Sequence, residues 1–160
     1  MISTIVTHSE AETREVAHSF AAQLQRGDVV ALSGELGAGK TQFVKGMCSG
    51  LGVNEPVTSP TFVILHRYSG KDKRNAELLL YHLDLYRVKS LEEIYDIGYE
   101  EFFYGDGIAF VEWGELLGEL LPQRRYDVRL SLGEKEEDRK IDIRQLEGKP
   151  STVSREKARA

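Results

Sequence analysis

Lys40 and Thr41 close the stretch Gly34-Glu35-Leu36-Gly37-Ala38-Gly39-Lys40-Thr41, the part of this chain whose residue types and spacing point most directly to a chemistry. It fits G-x-x-x-x-G-K-[ST], the loop that wraps the phosphates of a nucleoside triphosphate. In such a loop Gly34, Gly37 and Gly39 let backbone N–H groups turn inward, in conformations that a Cβ would hinder. Lys40 would place a cation on the β- and γ-phosphates of the nucleotide, and the Thr41 hydroxyl would ligate Mg²⁺. The helix beginning there adds the positive end of its dipole. Glu35, Leu36, Ala38 and Gln42 complete the candidate nucleotide-contacting set, with Thr61 added from a later loop. A chance match of this pattern is expected in roughly one chain in two hundred of this size, so the flanking residues have to support it.

Two apolar runs end in carboxylates. His82-Leu83-Asp84-Leu85-Tyr86-Arg87 and Ile108-Ala109-Phe110-Val111-Glu112 both have the form in which a strand delivers an acid toward Mg²⁺. Taken alone, Asp84 is either a metal-side carboxylate or a solvated strand residue. Glu112 is the better formal match, and one nucleotide site can use both acids, one on the metal and one orienting the attacking water. Asp84, Glu112 and Lys40 are therefore the candidate catalytic residues, and Thr41, Asp84 and Glu112 the candidate metal ligands. Pro56-Val57-Thr58-Ser59-Pro60-Thr61-Phe62 is a restrained loop, with two prolines bracketing hydroxyl residues. It is either a segment that senses the γ-phosphate and Mg²⁺ through Thr58, Ser59 and Thr61 or a polar turn feeding the next strand.

The elements around these residues can position them. Asp28 to Ser33 is a short apolar run of the kind found in buried parallel strands, and Phe43, Val44, Met47 and Leu51 recur at helical spacing. Strand, glycine loop and helix thus follow in the required order. Before them, Ile2 to Val6 reads as a strand. Ser9 and Glu12 form a capping box for a helix whose apolar stripe runs from Thr13 to Leu24 and which Gly27 ends. Phe62 to Tyr68 and Leu78 to Leu85 read as an antiparallel hairpin turning at Ser69 to Asn75. Ser90 and Glu93 cap a short helix with Ile94, Tyr95 and Ile97 facing inward, and one or two further turns span Tyr99 to Tyr104. Glu115 to Leu121 reads as a helix stopped by Pro122. Alternation then predicts a strand through Tyr126, Val128, Leu130 and Leu132 and a partner strand through Ile141 and Ile143.

With 160 residues, the expectation is one P-loop domain over 1–146 and a disordered tail over 147–160, where no apolar period remains. The formal charge of -5 argues against broad, unaided binding to a nucleic-acid backbone. A lone cysteine, Cys48, excludes an internal disulfide and fits a reducing cytoplasm. No run approaches a membrane span and no signal peptide opens the chain. His8 and His18 lack the carboxylate or cysteine partners of a metal site.

Four segments together resemble one family. Gly34 to Thr41, Thr58-Ser59-Pro60-Thr61-Phe62, His82 to Arg87 and Val111-Glu112-Trp113-Gly114-Glu115 occur in the order found in the bacterial TsaE (YjeE) ATPases, which take part in the threonylcarbamoyl modification of the adenosine beside the tRNA anticodon. Gly114 departs from the proline common after the tryptophan, which changes the turn and leaves the acid untouched. The resemblance implies an α/β, P-loop NTPase-like three-layer domain with a mixed, partly parallel central sheet. It implies Mg²⁺-dependent ATP hydrolysis that becomes productive with two partners, the threonylcarbamoyl-transferring enzyme and that enzyme's pseudo-enzyme partner, without strong direct tRNA binding. On this resemblance Thr58 to Phe62 senses nucleotide, and Trp113, exposed beside the site, meets the partner. Two other readings use the same loop. A small-molecule kinase would enlist Arg67, Arg74 or Arg87 over the phosphates, and a nucleotide-gated binding protein would barely hydrolyse. GTP is disfavoured because no N-K-x-D sequence occurs.

Overall fold

The structure, a computed structural model, describes residues 2–58 and 64–148. Its described elements follow in the order β1 (Ile2–Thr7), α1 (Glu10–Ala21), β2 (Val29–Ser33), α2 (Lys40–Gly50), β3 (Leu65–Lys71), β4 (Glu77–Asp84), α3 (Leu91–Asp96), α4 (Tyr99–Phe103), β5 (Ile108–Glu112), a 3₁₀ segment (Gly114–Leu120), β6 (Arg125–Leu132) and β7 (Arg139–Leu146). The strands form a sheet of order β1-β7-β6-β2-β5-β4-β3. Its centre is parallel, with β2 between β6 and β5 and β4 beyond β5. Antiparallel hairpins extend both flanks, and β1 closes one edge against β7. This is an α/β fold of three layers with a mixed sheet.

The continuous apolar runs of β2 and β5 are explained by burial on two faces. On one face Val30, Leu32, Leu80, Phe110, Val128 and Leu130 pack under α1 and α2 through Ala17, Phe20, Phe43 and Met47. On the other, Ala31, Tyr81, Leu83 and Val111 meet Ile94, Phe102, Phe103 and Leu117. Alternate residues of one strand therefore serve different layers. Every residue of β5 is buried, and each large apolar side chain fully removed from water contributes about 1.5–3 kcal/mol.

Several boundaries differ from the sequence expectation. Helix α1 ends at Ala21 and not at Gly27. Gln23 and Leu24 donate to the carbonyls of Phe20 and Ala21, tight turns that carry Leu24 into the core. Gly27, at φ 86°, instead turns the chain into β2 with its N–H on the Gly107 carbonyl. The Ser9 hydroxyl accepts from Glu12 N–H as expected, but the Glu12 carboxylate accepts from His8 N–H, so the reciprocal half of that box lies one residue early. The β3–β4 turn is narrower than expected because the Asp72 carboxylate accepts from Arg74 and Ala76 N–H, letting the strand run to Lys71. Tyr95 is exposed, contrary to its expected inward position. The six-residue α3 turns Ile94 inward and leaves Tyr95 at the surface, its ring tilted against that of Tyr99. The Glu115 to Leu121 helix is a 3₁₀ segment broken at Gly118. The start of the expected Phe62 strand and the tail from 149 onward lie outside the described residues.

Candidate nucleotide site

Strand β2 ends at Ser33, α2 begins at Lys40, and the six residues between them make the loop. Gly34, Gly37 and Gly39 have φ of 141°, 81° and 101°, backbone that side chains with a Cβ rarely adopt. Gly34 is constrained twice, since a Cβ there would stand 2.3 Å from the Leu130 carbonyl oxygen. Ala38 is fully buried, Glu35 and Leu36 are exposed at the tip, and Arg139 donates to the Gly37 carbonyl at 3.1 Å, tying the loop to β7. A cleft of about 260 Å³ lies alongside, reached by Gly37, Gly39, Gln42, Thr13 and Arg139. Gln42 is held from α1, where Arg14 donates to its Oε1 at 2.7 Å.

Lys40 folds back over its own loop. Its Nζ donates to the carbonyls of Gly34 at 2.5 Å and Glu35 at 3.0 Å, and lies 3.9 Å from the centre of the Trp113 ring. Burial pushes the ammonium below its ordinary lysine range, opposed by the charges of Glu112, Glu115, Asp84 and Glu35. Trp113 is half-buried beneath this cation and against Tyr86, ring centres 5.2 Å apart, so the expectation of an exposed tryptophan is corrected. Its positive φ of 61° turns the chain sharply after β5. Gly114 then packs where a Cβ would stand 2.9 Å from that of Ala31.

The parallel register brings both strand-end acids to the loop. Leu32 pairs with Glu112, and Asp84 pairs with Glu112 on the other side. Glu112 is 3% exposed, and the Thr41 hydroxyl donates to its two oxygens at 2.9 and 3.2 Å. His82 Nε2 lies 2.5 Å from Glu112 Oε2. The sequence alone gives His82 no role. The available signal was its spacing of two from Asp84, which puts both on one face of β4. Asp84 is half-buried and accepts from Tyr86 N–H at 3.0 Å. Its own N–H donates to the Ile64 carbonyl, while Thr58 is gripped through its backbone N–H and carbonyl by the Tyr68 hydroxyl. Ser59, Thr61 and Phe62 of the expected sensor lie outside the described residues.

Among the described residues no three His, Cys, Asp or Glu side chains gather as a metal-holding group. Mg²⁺ in triphosphate sites draws on one or two carboxylates, with phosphates and waters filling an octahedron. An N-terminal threonine hydroxyl of α2 in direct contact with a buried carboxylate, a second acid beside it, and a glycine loop ahead of the helix fit that group.

The model of the family described as "Threonylcarbamoyl adenosine biosynthesis protein TsaE" matches residues 7–141, which hold the loop, both acids and His82. The chain belongs to the TsaE family. Among its relatives, the TsaE protein of Treponema pallidum is 50% identical over 109 residues, 68% of this chain and 75% of that one. That of Bacillus subtilis is 44% identical over 117 residues, 73% and 70% of the two chains. That of Rickettsia bellii is 40% identical over 134 residues, 81% and 87%. All three carry the name tRNA threonylcarbamoyladenosine biosynthesis protein. The crystal structure of Bacillus subtilis YdiB superposes with a TM-score of 0.72 at 33% identity, covering 98% of this chain and 93% of that one. The mixed sheet of this TsaE-family chain is thus shared with a solved structure. Among its described residues no helix is long and apolar enough to cross a membrane.

Proposed function

We propose that this TsaE-family chain is a Mg²⁺-dependent ATPase serving as an accessory subunit in making threonylcarbamoyladenosine on tRNA, with the threonylcarbamoyl-transferring enzyme and its pseudo-enzyme partner as the complex it drives or resets. The observation carrying this reading is the convergence of Thr41, at the start of the helix after the glycine loop, on the buried Glu112 carboxylate. Mg²⁺, when bound, supplies positive charge to the phosphate oxygens. The loop amides of Gly34 to Gly39 and the Lys40 ammonium bind the phosphates, Lys40 exchanging the Gly34 and Glu35 carbonyls for phosphate oxygens. Glu112, which already shares Thr41, takes the metal side. Asp84, beside it and less buried, orients the water. The open cleft along Gly37 and Gly39 leaves room for the nucleoside end.

Thr58 to Phe62 would connect this site to the partners' state. Among the described residues the one arginine that donates to the loop is Arg139, on the Gly37 carbonyl. A P-loop hydrolase without a transition-state cation turns over at ~10⁻⁴ to 10⁻³ s⁻¹, so slow hydrolysis alone is expected. Phosphate release is measured for the isolated chain, for the chain with the partner complex, and with Lys40→Ala. Stimulation by the complex, lost in the variant, supports the proposal. Full activity alone, with no response to the complex, overturns the accessory role.

A further inference from the structure

His82 is fully buried in the middle of β4's inward face, two residues before Asp84, with apolar Leu80 and Leu83 near it in sequence. A leucine would fill such a position without bringing polar atoms out of water, which is unfavourable unless they find partners. Of its two ring nitrogens, Nδ1 has no hydrogen-bond partner among the described residues, whereas Nε2 sits 2.5 Å from Glu112 Oε2. Packing alone therefore does not account for a histidine here, and its polar link is to one carboxylate. That carboxylate in turn holds Thr41, with Oε1 at 2.9 Å and the shared Oε2 at 3.2 Å. Three side chains from β4, β5 and α2 thus form one chain of contacts, His82 to Glu112 to Thr41.

We propose that His82 is a positioning residue. By donating from Nε2 to Oε2 it fixes the rotation of the Glu112 carboxylate, keeps Oε1 turned toward Thr41, and so tightens the hold on the divalent cation that accompanies the nucleotide. This rests on the ATP and Mg²⁺ reading above. Partners that orient a metal-side ligand change metal affinity by about 10- to 100-fold when removed. The phosphate grip of the loop amides and Lys40 does not pass through His82, so nucleotide affinity without metal stays in place.

The test compares the full chain with His82→Leu, which removes the donor at similar volume, and His82→Gln, whose side-chain amide places an N–H near the Nε2 position. A non-hydrolysable ATP analogue is titrated by calorimetry without metal, and Mn²⁺ is then titrated into each saturated complex by electron paramagnetic resonance. The expected result is a Mn²⁺ affinity weakened about 10- to 100-fold in His82→Leu and largely restored in His82→Gln, with similar metal-free analogue binding in all three. If His82→Leu binds Mn²⁺ like the parent, or His82→Gln loses as much as His82→Leu, the positioning role is wrong while the nucleotide reading stands. If the parent chain binds no analogue at all, the nucleotide reading fails and the positioning role with it.

Discussion

The Lys40 ammonium lies 3.9 Å from the centre of the Trp113 ring while donating to two carbonyls of its own loop. A cation over an indole face contributes about 0.5–2 kcal/mol, more as water is excluded, and Lys40 is only 5% exposed. Lys40 therefore has a resting position to leave when a phosphate arrives. Trp113 is the single tryptophan of the chain, so the departure is observable. Emission is expected to change when ATP is added to the parent chain. Lys40→Met starts from a different emission and responds little to ATP. An unchanged signal in the parent at saturating ATP, with binding verified by calorimetry, would mean Lys40 stays over the ring.

Thr41 and Glu112 make a second pair that mutation can separate. Glu112→Gln keeps acceptor capacity for Thr41 but removes the charge, and Asp84→Asn does the same to the neighbouring acid. Positioned acid–base groups contribute about 10²- to 10⁴-fold to rate. Partner-stimulated phosphate release is expected to fall at least about 100-fold in Asp84→Asn, whose acid orients the water in the proposed mechanism, with ATP still bound. Lys40→Ala should lose the binding as well. Retention of partner function in both acid variants would favour a nucleotide-gated binding protein over an ATPase.

What could be read from sequence followed from local rules. The loop announces itself because only glycine tolerates its backbone, and β2 and β5 do so because strands buried on both faces are apolar throughout. The assignment of contacts was not local. That Thr41 meets Glu112, with Asp84 one strand further out, depends on the order β2-β5-β4, which no window of sequence contains. His82 was hidden for a related reason, since a histidine in an apolar run looks like a core residue until its cross-strand neighbour is known. Tyr95 was misplaced because periodicity was extended through a helix too short to bury more than Ile94. Trp113 was misplaced because the side chain that covers it, Lys40, comes from 73 residues earlier in the chain.

Gly46 tests the packing that holds α2, and with it Lys40 and Thr41, against α1. A Cβ at Gly46 would stand 2.3 Å from the Arg14 carbonyl oxygen and 2.6 Å from the Ala17 Cβ. At Gly50 the matching distances, to the His18 carbonyl oxygen and the Ala21 Cβ, are 2.6 and 2.8 Å. Overpacking costs about 1–3 kcal/mol, and the helix propensity gained by alanine offsets up to about 1 kcal/mol. Gly46→Ala is expected to lower the thermal midpoint by a few degrees, at about 2–4 °C per kcal/mol. Gly50→Ala, less crowded and at the helix end, should lower it less. A Gly46→Ala protein as stable as its parent would show that the two helices separate freely.

Cys48 is fully buried on α2, and burial pushes its thiol up to about 12. Since the thiolate is the reacting form, a thiol reagent at pH 8 is expected to modify the folded chain orders of magnitude more slowly than the unfolded one. Labelling time courses with and without urea measure this. Rapid labelling of the native chain would indicate that α2 opens readily.

His8 and Asp138 supply a pH test away from the site. His8 Nδ1 lies 2.9 Å from Asp138 Oδ1, joining the end of β1 to the β6–β7 turn. The hydrogen bond and charge of Asp138 raise the His8 pKa above 6.5, and the bond to His8, with Lys135 N–H assisting, lowers that of Asp138 below 3.8. The signs follow by linkage. The His8 contribution is fully present below 6.5 and is lost as pH rises through the folded midpoint. The Asp138 contribution is present above 3.8 and is lost as pH falls through its own folded midpoint. The pair therefore stabilises most between about pH 4 and 6.5. The His8 ring faces solvent while the Asp138 carboxylate is largely covered, so screening on the His8 side keeps the effect on overall stability small, and the direct readout is an NMR titration of the His8 ring. Its midpoint is expected above 6.5 in the parent and near the ordinary histidine value in Asp138→Asn. Identical midpoints in the two proteins would rule the pairing out.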